Sequence, residues 1–371
     1  MKTKEELLDI LAHFELPEKV VDAEPFGNGH INDTLRVTNE KGEVKYVLQR
    51  INHLIFTNVD MLQNNVQRVT SHIRKKLEAR GEADIDRKVL TFFPANDGKP
   101  YYFDGENYWR VSLFIPRSVS YEEVTPELSY EAGRAFGDFQ AMLADLPEGA
   151  LGETIPNFHN MEFRLQQFRE AVADDKAGRV GEVKDLIDEI ERRAEAMCIQ
   201  ERLYRDGKLK KRTNHCDTKV NNILFDAEEK KVLCVIDLDT VMPGFVLSDI
   251  GDFIRTAGNT GAEDDRNLER VGVNLPIFEA YTRGYMETAK AFLTDEEIRL
   301  LPYGGRLLTY MQTVRFLTDY LNGDTYYKIQ YPEHNLVRTR AQFKLLQSLE
   351  EHAAEMDAFM KPWLATSSAF L

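Results

Sequence analysis

Residues 214–240 constrain the fold of this 371-residue chain more than any other stretch. They read N-H-C-D-T-K-V-N-N-I-L-F-D, then a charged turn, then K-V-L-C-V-I-D-L-D-T. Two short runs rich in aliphatic and β-branched residues, 222–225 and 232–236, flank the turn at 226–231, and this spacing predicts a β-hairpin. Such a hairpin returns the end of its second strand to the loop before its first. His215-x-Asp217-x4-Asn222 then offers one acid and one amide on a loop, and Asp237 brings a second acid beside them. Phosphoryl transfer needs this set. One carboxylate orients the acceptor hydroxyl and takes its proton, while an amide oxygen and a second carboxylate hold magnesium on the nucleotide phosphates. A surface hairpin with solvated acids accounts for any one of these residues, but poorly for all three followed by an apolar strand ending in Asp.

Composition narrows the partners. The chain is long enough for two or three domain-sized units, and 43% hydrophobic with 29% charged residues is ordinary for a globular protein. A formal net charge of −15 argues against nucleic acid. It leaves nucleotide binding open, because magnesium and a few local cations can neutralise a triphosphate. Three cysteines, Cys198, Cys216 and Cys234, form neither a disulfide framework nor a metal-ligand spacing, so a cytoplasmic location is expected. Cys216 reads as a small side chain in a tight loop. The N-terminal M-K-T-K-E-E-L-L-D-I lacks the apolar core of a signal peptide, and no apolar run approaches membrane-spanning length.

Along the chain, helical periodicity over 4–14 is followed by strands at 20–26 and 31–37 around Gly27-Asn28-Gly29, a hairpin whose bare backbone can approach phosphates. A third strand at 46–51, a helix at 59–80, and strands at 88–93, 101–103 and 108–114 complete a sheet of about five strands. Ile115-Pro116 ends this pattern, dividing the chain into 1–115 and 116–371. The remainder is mostly helical. Ala132, Phe136, Phe139 and Leu143 share one helix face, with Gly133 and Gly137 on another, which predicts close packing. Further helices are predicted at 161–173, 183–204, 273–287, 295–300, 301–321 and 333–361, with Ser248 or Asp249 capping another. The fold class is therefore α+β, with a sheet-rich first lobe and a helical second.

H-x-D-T-K-x-N-N-I-L with I-D-L-D-T resembles the catalytic core of the aminoglycoside phosphotransferase and choline kinase group, which shares the two-lobe protein-kinase fold. The wording is closer still to the N-acetylhexosamine 1-kinases. F-G-N-G-H-I-N-D-T at 26–34 and Y-P-E-H-N-L-V-R-T-R at 331–340 extend the likeness over nearly the whole chain. The resemblance implies ATP with Mg2+ as donor, an N-acetylhexosamine (N-acetylglucosamine or N-acetylgalactosamine) as acceptor, and a sugar 1-phosphate as product. It implies Asp217 as base and Asn222 and Asp237 as magnesium ligands. Gly27, Asn28 and Gly29 would cover the phosphates, and backbone groups near Phe114 and Ile115 would bond the adenine edge. His30, Arg315 and Tyr326 correspond to sugar contacts, Asp239 to a contact with sugar or magnesium, and Asp249 to a brace of the catalytic loop.

One departure stands out. Kinase-like proteins carry a lysine on the third strand that pairs with a glutamate on the next helix. Here the strand holds Gln49, and the helix reads V-Q-R-V-T-S-H-I-R in its middle, without an acid. Arg50, Arg68 and the glycine-turn amides are left as candidates to meet phosphate charge. The missing pair favours a non-catalytic binding module, and the complete Asp217, Asn222 and Asp237 set opposes it. A cationic acceptor, an aminoglycoside or amino alcohol, is the alternative within catalysis. Arg315 points away from it, although Asp319, one helical turn on, is placed to pair with that arginine.

Overall fold

Apolar residues alternate through 33–51 and again through 108–113, and these segments form the centre of a sheet. The computed structural model describes residues 2–27 and 31–364. In chain order it holds α1 (Lys4–Leu11), β1 (Val20–Pro25), β2 (Asp33–Asn39), β3 (Val44–Ile51), α2 (Val59–Ala79), β4 (Phe92–Phe93), β5 (Tyr102–Phe103), β6 (Tyr108–Leu113) and β7 (Ser118–Val119). Helices α3 (Pro126–Leu143), α4 (Met161–Asp174), α5 (Lys184–Met197) and α6 (Ile199–Arg205) follow, then strands β8 (Arg212–Asn214), β9 (Ile223–Asp226), β10 (Val232–Val235) and β11 (Met242–Gly244). Helices α7 (Val246–Thr256), α8 (Leu275–Ala289), α9 (Asp295–Leu321), α10 (His334–Glu351) and α11 (Ala353–Phe359) end the chain. The fold is α+β, with sheet concentrated early and helix late. Two compact units emerge: one spans the chain up to residue 120 with 145–156 and 222–242, the other comprises 121–144, 157–221 and the chain from 243 onward.

In the first unit the main sheet runs β1-β2-β3-β6-β4, with β5 also on β6, and its pairs are antiparallel. Leu35, Val37, Tyr46, Leu48, Trp109 and Val111 form one buried face against Leu7, Ile10 and Leu11 of α1. Each such side chain contributes about 1.5–3 kcal/mol on burial. A slip of one residue would turn the set outward, so the register is strongly specified. It sets Gln49 opposite Thr34 on one side and Arg110 on the other. A second sheet, β10-β9-β7, contains the hairpin predicted from the sequence.

Glycine shapes the second unit. A Cβ at Gly133 on α3 would lie 2.1 Å from the Tyr281 carbonyl oxygen, and one at Gly284 on α8 would lie 2.0 Å from that of Tyr130. Only hydrogen fits where these helices meet. Three helix boundaries differ from the sequence reading. The break expected near residue 300 is absent, and α9 runs through Pro302. Proline there removes one backbone hydrogen bond, but α7 packs closely beside it: a Cβ on Gly251 of α7 would lie 2.3 Å from the Gly304 oxygen. The helices expected over 183–204 and 333–361 are each broken, at Cys198 and His352, whose ψ angles of 14° and 7° leave the helical range. Helical periodicity continues across both points, so the sequence carries no sign of them.

Candidate active site

In the second unit, α7 presents Asp249 and Asp252, three residues apart and on one face. Asp249 accepts from the backbone N–H of His215 at 2.9 Å and of Cys216 at 2.8 Å, and from Gln140 Nε2 at 2.7 Å. Asp252 accepts from the Thr218 N–H at 3.0 Å. The Asp217 N–H donates to His215 Nδ1 at 3.3 Å. Residues 215–218 are thereby held at each successive amide. The bracing supports Cys216 at φ +63°, a left-handed conformation that costs a non-glycine residue about 1–3 kcal/mol. Ring edges of Phe136 and Phe139, at centroid distances of 5.5 and 5.7 Å, enclose the buried His215 imidazole. Asp217 itself retains 22% side-chain exposure, with Lys219 Nζ 3.3 Å from its Oδ1. That carboxylate raises the Lys219 pKa. Burial pushes the Asp249 and Asp252 carboxyls upward, and Arg255 Nη2 answers Asp252 at 2.9 Å. The sequence places Ser248 or Asp249 as a helix cap. In fact α7 begins at Val246, so both lie inside it and Asp249 turns to the loop amides instead.

The first unit carries the other acid and the amide. Ile223 pairs with Val235, and the Ile236 N–H donates to the Asn222 carbonyl at 2.9 Å. Asn222 and Asp237 thus meet at one end of the hairpin. Asp237 takes φ +58°, and the buried turn after it is pinned. Asp239, 2% exposed, accepts from Arg110 Nη1 at 2.6 Å, Arg110 Nη2 at 2.9 Å and Asn32 Nδ2 at 2.6 Å. Its carbonyl accepts from Thr154 Oγ1 at 2.8 Å, and that of Val241 from Asn65 Nδ2 at 3.3 Å. The sequence reading assigns Asp239 to sugar or magnesium, whereas both of its oxygens are engaged inside the unit, in the bidentate geometry that suits guanidinium. Asn222 and Asp237 are hard oxygen donors. Among the described residues no cluster of three or more His, Cys, Asp or Glu side chains could hold a metal ion alone. Two such donors fit Mg2+, which takes one or two protein ligands and completes its shell with phosphate and water.

Of the cations considered for the phosphates, Arg50 pairs with Asp33 at 2.7 Å and Arg68 donates to the Ala150 carbonyl at 2.7 Å. Gly27 has φ +76° and open space around its α-carbon. Asn28, Gly29 and His30 lie outside the described residues. The Phe114 N–H donates to the Lys45 carbonyl at 2.8 Å, and the Ile115 carbonyl accepts from Ser118 Oγ at 2.7 Å.

A cavity of about 290 Å³ lies in the second unit, lined in part by Arg164, Lys176, Arg315, Asp319, Tyr326 and Tyr327. The Arg315 guanidinium is 5.3, 5.8 and 5.7 Å from the rings of Phe158, Tyr326 and Tyr327, and Nη1 donates to Gln312 at 3.3 Å. Arg164 donates to the Phe158 carbonyl at 3.2 and 3.0 Å and to Gln167 at 3.0 Å. Among the described residues neither arginine has a carboxylate partner. Burial and the nearby Arg315 lower Arg164 to about 10. Burial, then Arg315 and Arg164, hold the His159 imidazole down to about 3, and its buried Nδ1 has no hydrogen-bond partner among the described residues. Asp319 does not pair with Arg315 as expected. It accepts from the backbone N–H groups of Thr325, Tyr326 and Tyr327 at 2.9, 2.8 and 3.0 Å and from Asn335 Nδ2 at 2.8 Å. Four donors converging beyond the end of α9 outcompete one guanidinium. Asn335 belongs to the Y-P-E-H-N motif, so that motif shapes the wall on which Tyr326 stands 58% exposed. Sequence reasoning missed Arg164, Lys219 and Asp252. The last two had a signal: T-K follows Asp217 directly, and D-I-G-D has an i, i+3 acid pair.

Residues 22–285 match the family model described as "Phosphotransferase enzyme family". In fold the chain is similar to an aminoglycoside phosphotransferase from Alicyclobacillus acidocaldarius, at 12% identity and a TM-score of 0.58 over 96% of this chain and 94% of that one. It is also similar to a spectinomycin phosphotransferase solved with ADP and spectinomycin, at 13% identity and a TM-score of 0.58 over 97% and 99%. A choline/ethanolamine kinase family protein from Mesorhizobium loti aligns at 14% identity with a TM-score of 0.57 over 96% and 99%. At these identities the likeness is one of fold.

Proposed function

This chain belongs to the phosphotransferase enzyme family, and from that premise we propose that it transfers the γ-phosphoryl group of ATP to the anomeric hydroxyl of N-acetylglucosamine or N-acetylgalactosamine. The product is the sugar 1-phosphate. Asp217, on its braced loop with Lys219 Nζ 3.3 Å from its carboxylate, accepts the hydroxyl proton and aligns the oxygen. With the Phe114 N–H on Lys45 and the Ile115 carbonyl on Ser118, the Phe114 carbonyl and the Ile115 N–H would bond the adenine edge, and amides of the turn at Gly27 would cover the phosphates. Asn222 and Asp237 would hold magnesium, whose charge offsets that on the phosphate oxygens. Most of the acceleration comes from positioning and charge stabilisation.

The observation that carries the acceptor class is the pair Arg164 and Arg315, set among aromatic rings and without a carboxylate partner among the described residues. A cationic acceptor would meet two guanidinium groups there. A neutral acetylated sugar finds N–H donors for its hydroxyl and carbonyl oxygens and ring faces for its apolar side. Of the acids at the cavity, Glu170 and Asp174 are exposed, Asp174 lies 4.0 Å from Lys176, and the buried Asp319 is engaged by the 325–327 amides and Asn335. A volume of about 290 Å³ is monosaccharide-sized, near the low end of ligand pockets. The test is Mg2+–ATP turnover with N-acetylglucosamine, N-acetylgalactosamine, glucose, choline and kanamycin, with phosphorus NMR on the products. A sugar 1-phosphate from the acetylated hexosamines alone is expected. Turnover of choline or kanamycin instead would replace the acceptor class. Silence with ATP still bound would favour a binding module.

A further inference from the structure

The absent lysine–glutamate pair leaves an arrangement of its own in the first unit. Gln49 of β3 and Gln63 of α2 both present their amide oxygens to Arg110 of β6, at 3.0 Å to Nε and 3.0 Å to Nη1. Their amide nitrogens are occupied elsewhere, Gln49 on Thr34 Oγ1 at 3.1 Å and Gln63 on the Pro100 carbonyl at 2.9 Å. The neighbours therefore dictate which way each amide faces. With Nη1 and Nη2 on Asp239, four of the five Arg110 N–H groups are engaged, and the residue is 3% exposed.

We propose that Arg110 is a positioning residue for magnesium: one buried guanidinium ties β3 and α2 to the turn that carries Asp237. The proposal rests on the reading of Asn222 and Asp237 as the magnesium ligands. Here the cation stands on β6 and its anion is Asp239, while Gln49 and Gln63 are neutral amides that complete the guanidinium's hydrogen bonding. Arg110 acts through Asp239, which lies just beyond the strained Asp237. The bidentate pair and the two amide bonds fix the turn to β3 and α2, and the buried Asp239 carboxylate would not keep its place without its counter-charge. Asn32, Thr154 and Asn65 secure the same turn from other elements but bring no charge.

Arg110→Met alone would bury an unpaired carboxylate and risks misfolding, so the test uses Arg110→Met with Asp239→Asn, which removes both charges. Two quantities are read on the full chain. One is Mn2+ binding in the presence of ATP, followed by electron paramagnetic resonance. The other is amide hydrogen exchange at 238–241 without ligand. The double variant is expected to fold, to bind Mn2+ at least tenfold more weakly, and to exchange faster at 238–241. A folded double variant whose Mn2+ affinity stays within twofold of the natural chain overturns the proposal. If the acceptor panel is silent for the natural chain while the tenfold loss is still seen, the sugar-kinase reading fails and the role of Arg110 stands.

Discussion

Asp217 owes its place to its neighbours rather than to itself. The amides on either side of it are held by Asp249 and Asp252, and the carboxylate is left facing Lys219. Replacing it with Asn keeps the shape and removes the proton acceptor. Asp217→Asn is expected to lower kcat by about 10²–10⁴-fold while leaving ATP affinity within a few fold, measured by turnover and by calorimetric titration. Near-normal turnover would remove Asp217 from the chemistry. His159 supplies a pH signature. Its folded pKa of about 3 lies below the ordinary 6.5, so as pH falls through 6.5 the unfolded chain takes the proton first. The associated stability is fully present above pH 6.5 and is lost progressively toward pH 3. Urea midpoints across this range should fall less steeply for His159→Phe than for the natural chain. Equal slopes would mean that the folded imidazole takes up its proton as readily as the unfolded one.

Between elements, close approach and loop anchoring decide the outcome. Gly284 sits where α8 touches α3, with the Tyr130 oxygen 2.0 Å from the position a Cβ would occupy. Backbone cannot yield as a side chain can, so Gly284→Ala should destabilise by about 1–3 kcal/mol or more, read as a lower urea midpoint. A midpoint equal to that of the natural chain would mean that the helices part at little cost. Asp319 joins α9 to the loop at 325–327. Asp319→Asn would set an amide N–H against backbone donors, loosening the wall that carries Tyr326. The acceptor KM is expected to rise about tenfold, roughly 1.4 kcal/mol, with the KM for ATP unchanged. Parallel rises in both would point to general unfolding. Strands were legible at this scale because period-two alternation is local, and α9 was not, because its continuity through Pro302 depends on packing against α7.

For the whole molecule, net charge governs the response to salt. At −15 the folded chain repels itself over distances that salt shortens, the screening length falling from about 30 Å at 0.01 M to about 8 Å at 0.15 M. The melting temperature should rise over that range in scanning calorimetry. A fall would mean that exposed ion pairs such as Arg169 with Glu191 outweigh the net repulsion. No helix among the described residues is long and apolar enough to cross a membrane. By itself the sequence determined the α+β class, the hairpin at 223–235, and an acid, an amide and a second acid near its ends. These follow from periodicity and short spacings, which act along the chain. Tertiary structure alone decided that Asp239 would join Arg110, that Asp319 would turn from Arg315 to the 325–327 amides, and that Arg164 would stand with Arg315. The first two are competitions among donors far apart in sequence, in which a buried carboxylate takes whichever partners best replace the water it has lost; the third follows from the packing that brings α4 against α9.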